Sequence, residues 1–449
     1  MMIEMEGMME GKCGSETRRI MEPAEDERGH GKKSLAIYLH IPFCVRKCLY
    51  CDFLSAPASV DRIEYYVNLL LREIRAAADC GQLQGYEAAT VFLGGGTPSL
   101  LSASQMERIL CKLRAVIPVR ADAEITMEMN PGTVTREQLA DLKRIGINRI
   151  SIGVQSLQDD ELVLLGRIHR AAEVYRLWEW TEQLQFRNRS LDLMSGIPGQ
   201  TQESFLDTLE KVVALGPEHL SAYSLIVEEG TPFYEMYPDG AVDEETDRKL
   251  YALTKEVLKK HGYERYEISN YAKAGYACRH NLTYWTRGEY LGFGLGAASL
   301  MGDIRFRNAD DMAAYERHIG MRKTLAAGVR TGYEQRKSGG AENTDERRDG
   351  RSVESAHERG GDISPAYAGW ESLSVKDRMA ETMFLGLRLT KGVSEQAFYE
   401  RFGCSLYEVY GSILKKHQKN GLLKQRDGFF FLTEYGMDVS NYVMADFLL

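Results

Sequence analysis

Short apolar runs alternate with helix-like patterns from about residue 35 to residue 270. LAIYLHI (35–41) reads as a strand, and Ile63, Val67, Leu70, Leu71 and Ile74 then recur at the spacing of one helix face. ATVFL (89–93) is a second strand, followed by Ser104 and Glu107 as a capping-box pair at the start of an amphipathic helix. EITMEM (124–129) is a third, and Thr135 and Gln138 open a helix that Gly146 stops. RISIGV (149–154), SLDLM (190–194) and LSAYSLI (220–226) continue the series with helices between them. A helix from about 244 to 261 leads into YERYEIS (263–269), which has the look of one further strand. Strands alternating with helices predict a parallel sheet with right-handed crossovers. Six such units in an α/β chain predict a full or partial (β/α) TIM-like barrel, whose functional residues follow the carboxyl ends of the strands.

The pattern changes twice. Residues 1–33 are rich in Met, Glu, Gly and Lys and read as a disordered leader without the apolar stretch of a secretory signal. Residues 328–363 are dominated by Arg, Glu, Asp, Gly and Ser, too little apolar surface to offset the entropy of ordering, and read as a disordered insertion. Between them, 34–327 is the core domain with its extension. From 364 to 449, three helical patterns precede LLKQ and FFFLT around an Arg-Asp-Gly turn, predicting a small winged-helix-like domain. Such domains often bind DNA, but 373–449 carries ten Lys and Arg against nine Asp and Glu. The whole chain has a formal charge of −9, which offers no general field for phosphates, so no nucleic-acid partner is expected. No run of 18 apolar residues is present, and no transmembrane segment is expected.

Eight cysteines are present, three of them within eight residues, which is not the dense framework of a disulfide-stapled domain. A reducing, cytoplasmic location is expected. Cys44, Cys48 and Cys51 follow the first strand directly, where a barrel places its chemistry. Three thiolates at this C-x3-C-x2-C spacing can hold three corners of an iron–sulfur cubane and leave one iron open. The alternative, a zinc knot, needs a fourth ligand; His40 is the candidate, but it lies on the strand.

Further candidates follow other strand ends. Gly94-Gly95-Gly96-Thr97-Pro98 follows the second strand, and glycines there let backbone N–H groups approach a ligand. Glu128 ends the third strand, Gln155 follows the fourth, and Asp192 lies in the fifth. Arg167 is a candidate carboxylate partner or a solvated charge at a helix end. His280, beside Tyr284 and Trp285, reads either as a heme axial ligand or as a hydrogen-bonded histidine in a packed turn. The small-residue stretch 291–299 reads as a pocket lining or a tight return of the chain.

The cysteine loop resembles that of the radical S-adenosylmethionine (SAM) superfamily. More closely, YLHIPFCVRKCLYCDF, GGGTPS, GVQS, DLMSGIPGQT, SLIVEEGTP and HNLTYW resemble the HemW family of heme chaperones, over about 35–307 and the tail from 373. That family is related to the oxygen-independent coproporphyrinogen III dehydrogenase. Two features separate the relatives: the dehydrogenase pattern has a further cysteine where this chain has Phe53, and it lacks the HNLTYW element of His280 to Trp285. The resemblance implies a barrel of the radical SAM type and a [4Fe-4S] cluster on Cys44, Cys48 and Cys51. It implies SAM chelated at the open iron, whose reductive cleavage yields a 5′-deoxyadenosyl radical. It also implies a SAM site made of Tyr38, Tyr50, Gly95, Gly96, Thr97, Glu128, Gln155, Arg167, Asp192, Ile226 and Ala298, with His280 as a heme contact; Ile226 and Ala298 rest on the resemblance alone. The expected function is heme binding and transfer to an as yet unidentified acceptor protein. The alternative is radical oxidative decarboxylation of coproporphyrinogen III.

Overall fold

The computed structural model describes residues 31–79, 83–319 and 367–448. Most of the expected leader and the whole insertion at 328–363 lie outside the described residues.

Six strands carry the core: β1 (Lys33–Ile41), β2 (Tyr86–Gly95), β3 (Val119–Met129), β4 (Arg149–Gln155), β5 (Arg189–Ser195) and β6 (His219–Ser224). Each pairs in parallel with the next, β1 with β2 through to β5 with β6. Between them run α1 (Val60–Asp79), α2 (Ala103–Val116), α3 (Arg136–Arg144), α4 (Asp159–Leu164), α5 (Ala171–Gln183) and α6 (Gln202–Leu215). After β6 come α7 (Pro232–Met236), α8 (Glu244–Lys260), β7 (Glu264–Arg265), β8 (Asn270–Ala272) and α9 (Arg279–Trp285). The sheet is completed by β9 (Tyr290–Phe293), β10 (Ala298–Met301), β11 (Ile304–Asn308) and β12 (Tyr367–Ser372). The spatial order is β12-β11-β10-β9-β1-β2-β3-β4-β5-β6-β8-β7, an open sheet and so a partial barrel.

The alternation of side chains along each strand divides this sheet into two faces. Ile37, Leu39, Val91, Leu93, Met127, Ile150, Ile152, Leu191 and Leu193 join residues of α1–α3, α5 and α6 in one apolar core. The opposite face is polar: Ser151 donates to Asp192 at 3.0 Å, Ser190 to Asp192 at 2.9 Å, and Arg149 is buried near Glu124. The core holds the barrel wall, and the other face is left for chemistry.

Three local expectations shift. Two overlapping capping-box frames precede α2; the upstream one is used, with Ser102 accepting from the Gln105 N–H at 3.2 Å. The run 263–269 is not one strand, because the buried Glu267 accepts from the Ser269 N–H (2.8 Å) and Asn270 Nδ2 (2.6 Å), turning the chain between β7 and β8. The stretch 291–299 is a return of the chain between β9 and β10.

The C-terminal domain comprises helices Val375–Gly386, Glu395–Phe402 and Leu406–Lys419 and the antiparallel wing β13 (Val393–Ser394), β14 (Leu423–Arg426) and β15 (Phe429–Leu432). Its own apolar cluster includes Met383, Phe398, Tyr410, Leu414, Phe430 and Phe447. β12 pairs with β11 in the large sheet, so this domain begins after it. Buried Glu381 accepts from Arg287 Nε (2.8 Å) and Arg305 Nη2 (2.5 Å), and Arg388 stacks over Trp285 at 4.2 Å. Those contacts hold the domain against α9 and β11.

Buried Glu73 ties α1 to the segment 294–315, accepting from the Gly294 N–H (2.8 Å), Asn308 Nδ2 (2.7 Å) and Tyr315 OH (2.6 Å). Burial outweighs these bonds and pushes its carboxyl up to about 7. The folded state therefore keeps a proton that the unfolded chain releases above the ordinary carboxylate range, and stability falls as pH rises toward 7. Urea unfolding between pH 5 and 7 should show the wild type losing roughly 2 kcal/mol more than Glu73→Gln. Parallel pH profiles would contradict this linkage.

Candidate functional site

The site forms where β1 and β2 end. Pro42–Phe43 turns out of β1, and the loop returns through Ala56: the Ala56 N–H donates to the Pro42 carbonyl (3.0 Å) and the Cys44 N–H to the Ala56 carbonyl (3.2 Å). The glycine motif locks against the same turn. The Gly96 N–H donates to the Ile41 carbonyl (2.9 Å) and the Thr97 N–H to the Phe43 carbonyl (2.7 Å). A Cβ on Gly96 would lie 2.6 Å from the Phe43 carbonyl oxygen, so only glycine permits this approach. Gly95 has φ +108°, and a Cβ there would strike the His40 ring.

Cys44, Cys48 and Cys51 are all free and half-buried on this loop. Burial pushes the Cys51 thiol up, with Cys48 and Cys44 among the neighbours that bear on it. Thr97 Oγ1 donates to Cys44 Sγ at 3.4 Å, and Arg167 Nη1 to Cys48 Sγ at 3.6 Å. Arg167 Nη2 also donates to Asn130 Oδ1 (2.5 Å) and the Gly153 carbonyl (2.7 Å), while Asn130 Nδ2 donates to Thr97 Oγ1 (2.9 Å). One hydrogen-bonded chain thus links the loop to the ends of β2, β3 and β4. Tyr50 lies beside Arg167, and burial raises its phenol despite that cation. Gln155 adopts φ +66°, an uncommon conformation for a side-chain-bearing residue. A Cβ on Gly153 would meet Gln155 Nε2 at 3.1 Å and Arg167 Nη2 at 3.2 Å, which places all three together.

Deeper in the barrel, Glu128 accepts from the Gly95 N–H at 3.1 Å. Burial and the neighbouring Asp192 push its carboxyl up to about 7. Tyr38 OH lies 3.0 Å from His40 Nδ1, while His40 Nε2 is 2.9 Å from the Leu54 carbonyl, so His40 is committed to holding the loop.

Two predicted residues, Ile226 and Ala298, follow the carboxyl ends of β6 and β9, on the side of the cysteine loop, while a third, His280, lies below it. Ile226 is 69% exposed beyond the end of β6, and Ala298 is exposed at the start of β10. His280 belongs to α9 beneath the barrel: Glu124 accepts from its N–H at 3.2 Å, its Nδ1 is 2.8 Å from Thr90 Oγ1, and its Nε2 is 2.8 Å from Tyr284 OH. Thr90 precedes Gly95 by five residues on β2, so the ring lies below the cysteine loop, with its centroid 6.5 Å from that of Tyr38. It is buried and stacked on Phe92 at 5.0 Å, with neither ring nitrogen open to a ligand in this arrangement. Burial, then Arg149, lowers its pKa to about 3. Asn130, Ser151 and Arg149 were not anticipated; the polar Asn130-Pro131-Gly132 turn after β3 was the available signal for the first.

Among the described residues, no three His, Cys, Asp or Glu side chains gather closely enough to hold a single metal ion. The loop does fit a larger anionic group. Arg167 is buried, and among the described residues it has no carboxylate partner and its Nε no partner at all. Cys48, Thr97, Asn130 and Arg167 line one small opening of about 20 Å³.

An open parallel barrel with a three-cysteine loop at its mouth has the architecture of a radical SAM protein. The Radical SAM superfamily pattern matches residues 38–212, and the HemN C-terminal domain pattern matches 373–439. The radical SAM enzyme coproporphyrinogen III oxidase (HemN) from Escherichia coli shares the fold, with a TM-score of 0.74 at 20% identity over 93% of this chain and 91% of that one. The heme chaperone HemW of Bacillus subtilis (strain 168) is 34% identical over 416 residues, 92% of this chain and 98% of that protein. HemW of Escherichia coli (strain K12) is 44% identical over 265 residues, 59% of this chain and 69% of that protein. The chain belongs to the HemW family.

The contacts of His280 predict a structural role. His280→Ala should strip partners from Thr90 and Tyr284 and leave a cavity, costing about 2–4 kcal/mol in urea unfolding of the heme-free protein. A loss below about 0.5 kcal/mol would show that the ring does not hold the barrel floor.

Proposed function

We propose that the protein is a heme chaperone that binds heme and passes it to an acceptor protein. In this reading a [4Fe-4S] cluster is held by Cys44, Cys48 and Cys51, and an exchangeable SAM lies over Thr97, Gln155, Arg167 and Glu128. The observation that carries it is the set of three free thiols at the mouth, braced by Thr97 and by an Arg167 that has no carboxylate partner among the described residues. Together, when bound, the cluster and SAM supply one-electron cleavage of a sulfonium. The residues of the chain do the rest. Gly95 and Gly96 bring backbone against the loop, Arg167 offers positive charge beside Cys48, and Glu128 offers a carboxyl that ionises near neutrality for an ammonium group.

Phe53 favours the chaperone over the dehydrogenase. It stands 64% exposed on the cysteine loop where the dehydrogenase pattern has another cysteine. Axial ligation of heme by His280 requires its bond to Tyr284 to open. No helix among the described residues is long and apolar enough to cross a membrane. A reducing cytoplasm suits a chain whose described cysteines are all free.

Anaerobic reconstitution with iron and sulfide, followed by parallel assays with heme and with coproporphyrinogen III plus SAM and a reductant, tests this reading. About one heme per chain and no decarboxylated product are expected. Cys44→Ala, Cys48→Ala and Cys51→Ala should each lose the cluster absorption, whereas Cys404→Ala should keep it. Protoporphyrinogen formation would identify a dehydrogenase instead, and a full cluster in Cys48→Ala would refute the ligand assignment.

A further inference from the structure

A chaperone for heme must hold an apolar ring that carries two carboxylates. The chain as a whole is acidic, at −9, which makes a group of unpaired cations informative. One open cleft of about 340 Å³ lies beside the cysteine loop and is lined by Arg46, Lys47, Leu49, Val163, Gly166 and Arg170, with Arg167 shared with the site described above. Arg46, Lys47 and Arg170 are exposed, and none forms an ion pair with a carboxylate among the described residues. Two carboxylates beside Arg170 serve backbone amides: Asp159 accepts from the Ala171 N–H (2.9 Å) and Glu173 from the Arg170 N–H (2.9 Å). Arg46 bridges to the far wall, donating from Nη2 to the Gly166 carbonyl at 2.8 Å, and so fixes the cleft against α4 and the segment before α5. The cations are interleaved with apolar surface. Val163 is 54% exposed in the cleft, and on the same two segments Val45 is 54% and Ile168 43% exposed.

We propose that this cleft is the cargo site, with the heme carboxylates on Arg46, Lys47 and Arg170 and the ring edge against Leu49 and Val163. The inference rests on the heme-chaperone reading. It puts the cargo beside the cysteine loop rather than at His280, whose nitrogens are both engaged. The shape favours a small amphipathic dianion over a protein partner. Small-molecule sites are concavities of roughly 300–1,000 Å³, whereas a stable protein interface needs about 800 Å² of surface from each partner. Charge and apolar area together match a porphyrin better than an inorganic anion, which has no use for the aliphatic wall.

The test is a heme titration of the reconstituted protein, followed in the Soret band, for the wild type and for Lys47→Glu/Arg170→Glu at matched iron content. Both side chains are exposed, and neither touches a cysteine sulfur, so an unchanged unfolding midpoint is expected. Heme binding should weaken about tenfold or more in the double variant. Heme dimethyl ester should bind the wild type correspondingly weakly, and His280→Gln should keep wild-type affinity. If the wild type binds heme but the double variant and the ester bind equally well, the cleft is not the cargo site and the chaperone reading stands. A wild type that binds no heme overturns both.

Discussion

Two backbone hydrogen bonds, from the Gly96 N–H to the Ile41 carbonyl and from the Thr97 N–H to the Phe43 carbonyl, hold the cysteine loop over the open end of the sheet. They form only because residue 96 has no side chain. β1 and β2 are parallel neighbours, so both of their carboxyl ends arrive at one place. The thiols of the first loop and the glycines of the second then become a single surface. Asn130 and Arg167 extend it around the mouth by linking Thr97, Gly153 and Cys48 in one chain of bonds.

The electrostatics follow from the two-faced sheet. An apolar outer face packs the helices, which leaves the inner face free to carry ionisable groups at a desolvation cost. Buried Arg149 near Glu124 and Asp192, and Asp192 accepting from Ser151 and Ser190, partly offset that cost at the floor. Nearer the mouth the compensation is incomplete. Glu128 has the Gly95 amide and the charge of Arg149 against Asp192, and Arg167 has no carboxylate among the described residues. Unbalanced charge at the mouth and balanced charge at the floor are what a site for charged ligands above a structural base requires. α9 seals that base, and the C-terminal domain clamps α9 through Glu381 and Arg388.

Much of this was legible in the sequence. The six core strands were visible because each carries apolar residues toward the helices, and the cysteine spacing marked the loop. Two capping boxes, at Thr135 and Ser102, show the range: the first was read in its own frame, the second one frame too late, because Ser104 offers the same spacing. Inward-facing polar residues were harder. Ser151 and Arg149 look like ordinary strand alternation until the register sets them beside Asp192 and Glu124. The position of His280 depends on α9 packing beneath β2 and β3, a contact between segments 190 residues apart. Nothing local to HNLTYW separates a floor residue from a heme ligand. Ile226 and Ala298, expected from family resemblance alone, lie on exposed positions outside the network that joins the cysteines.

The central claim is that the three-cysteine loop presents a cluster with one iron open to SAM. Electron paramagnetic resonance of the reduced, reconstituted protein, recorded before and after adding SAM, tests it most directly. A [4Fe-4S] signal whose g values move on adding SAM, and which is lost in Cys48→Ala, is the predicted result. A cluster signal indifferent to SAM would mean that no iron is open at the barrel mouth.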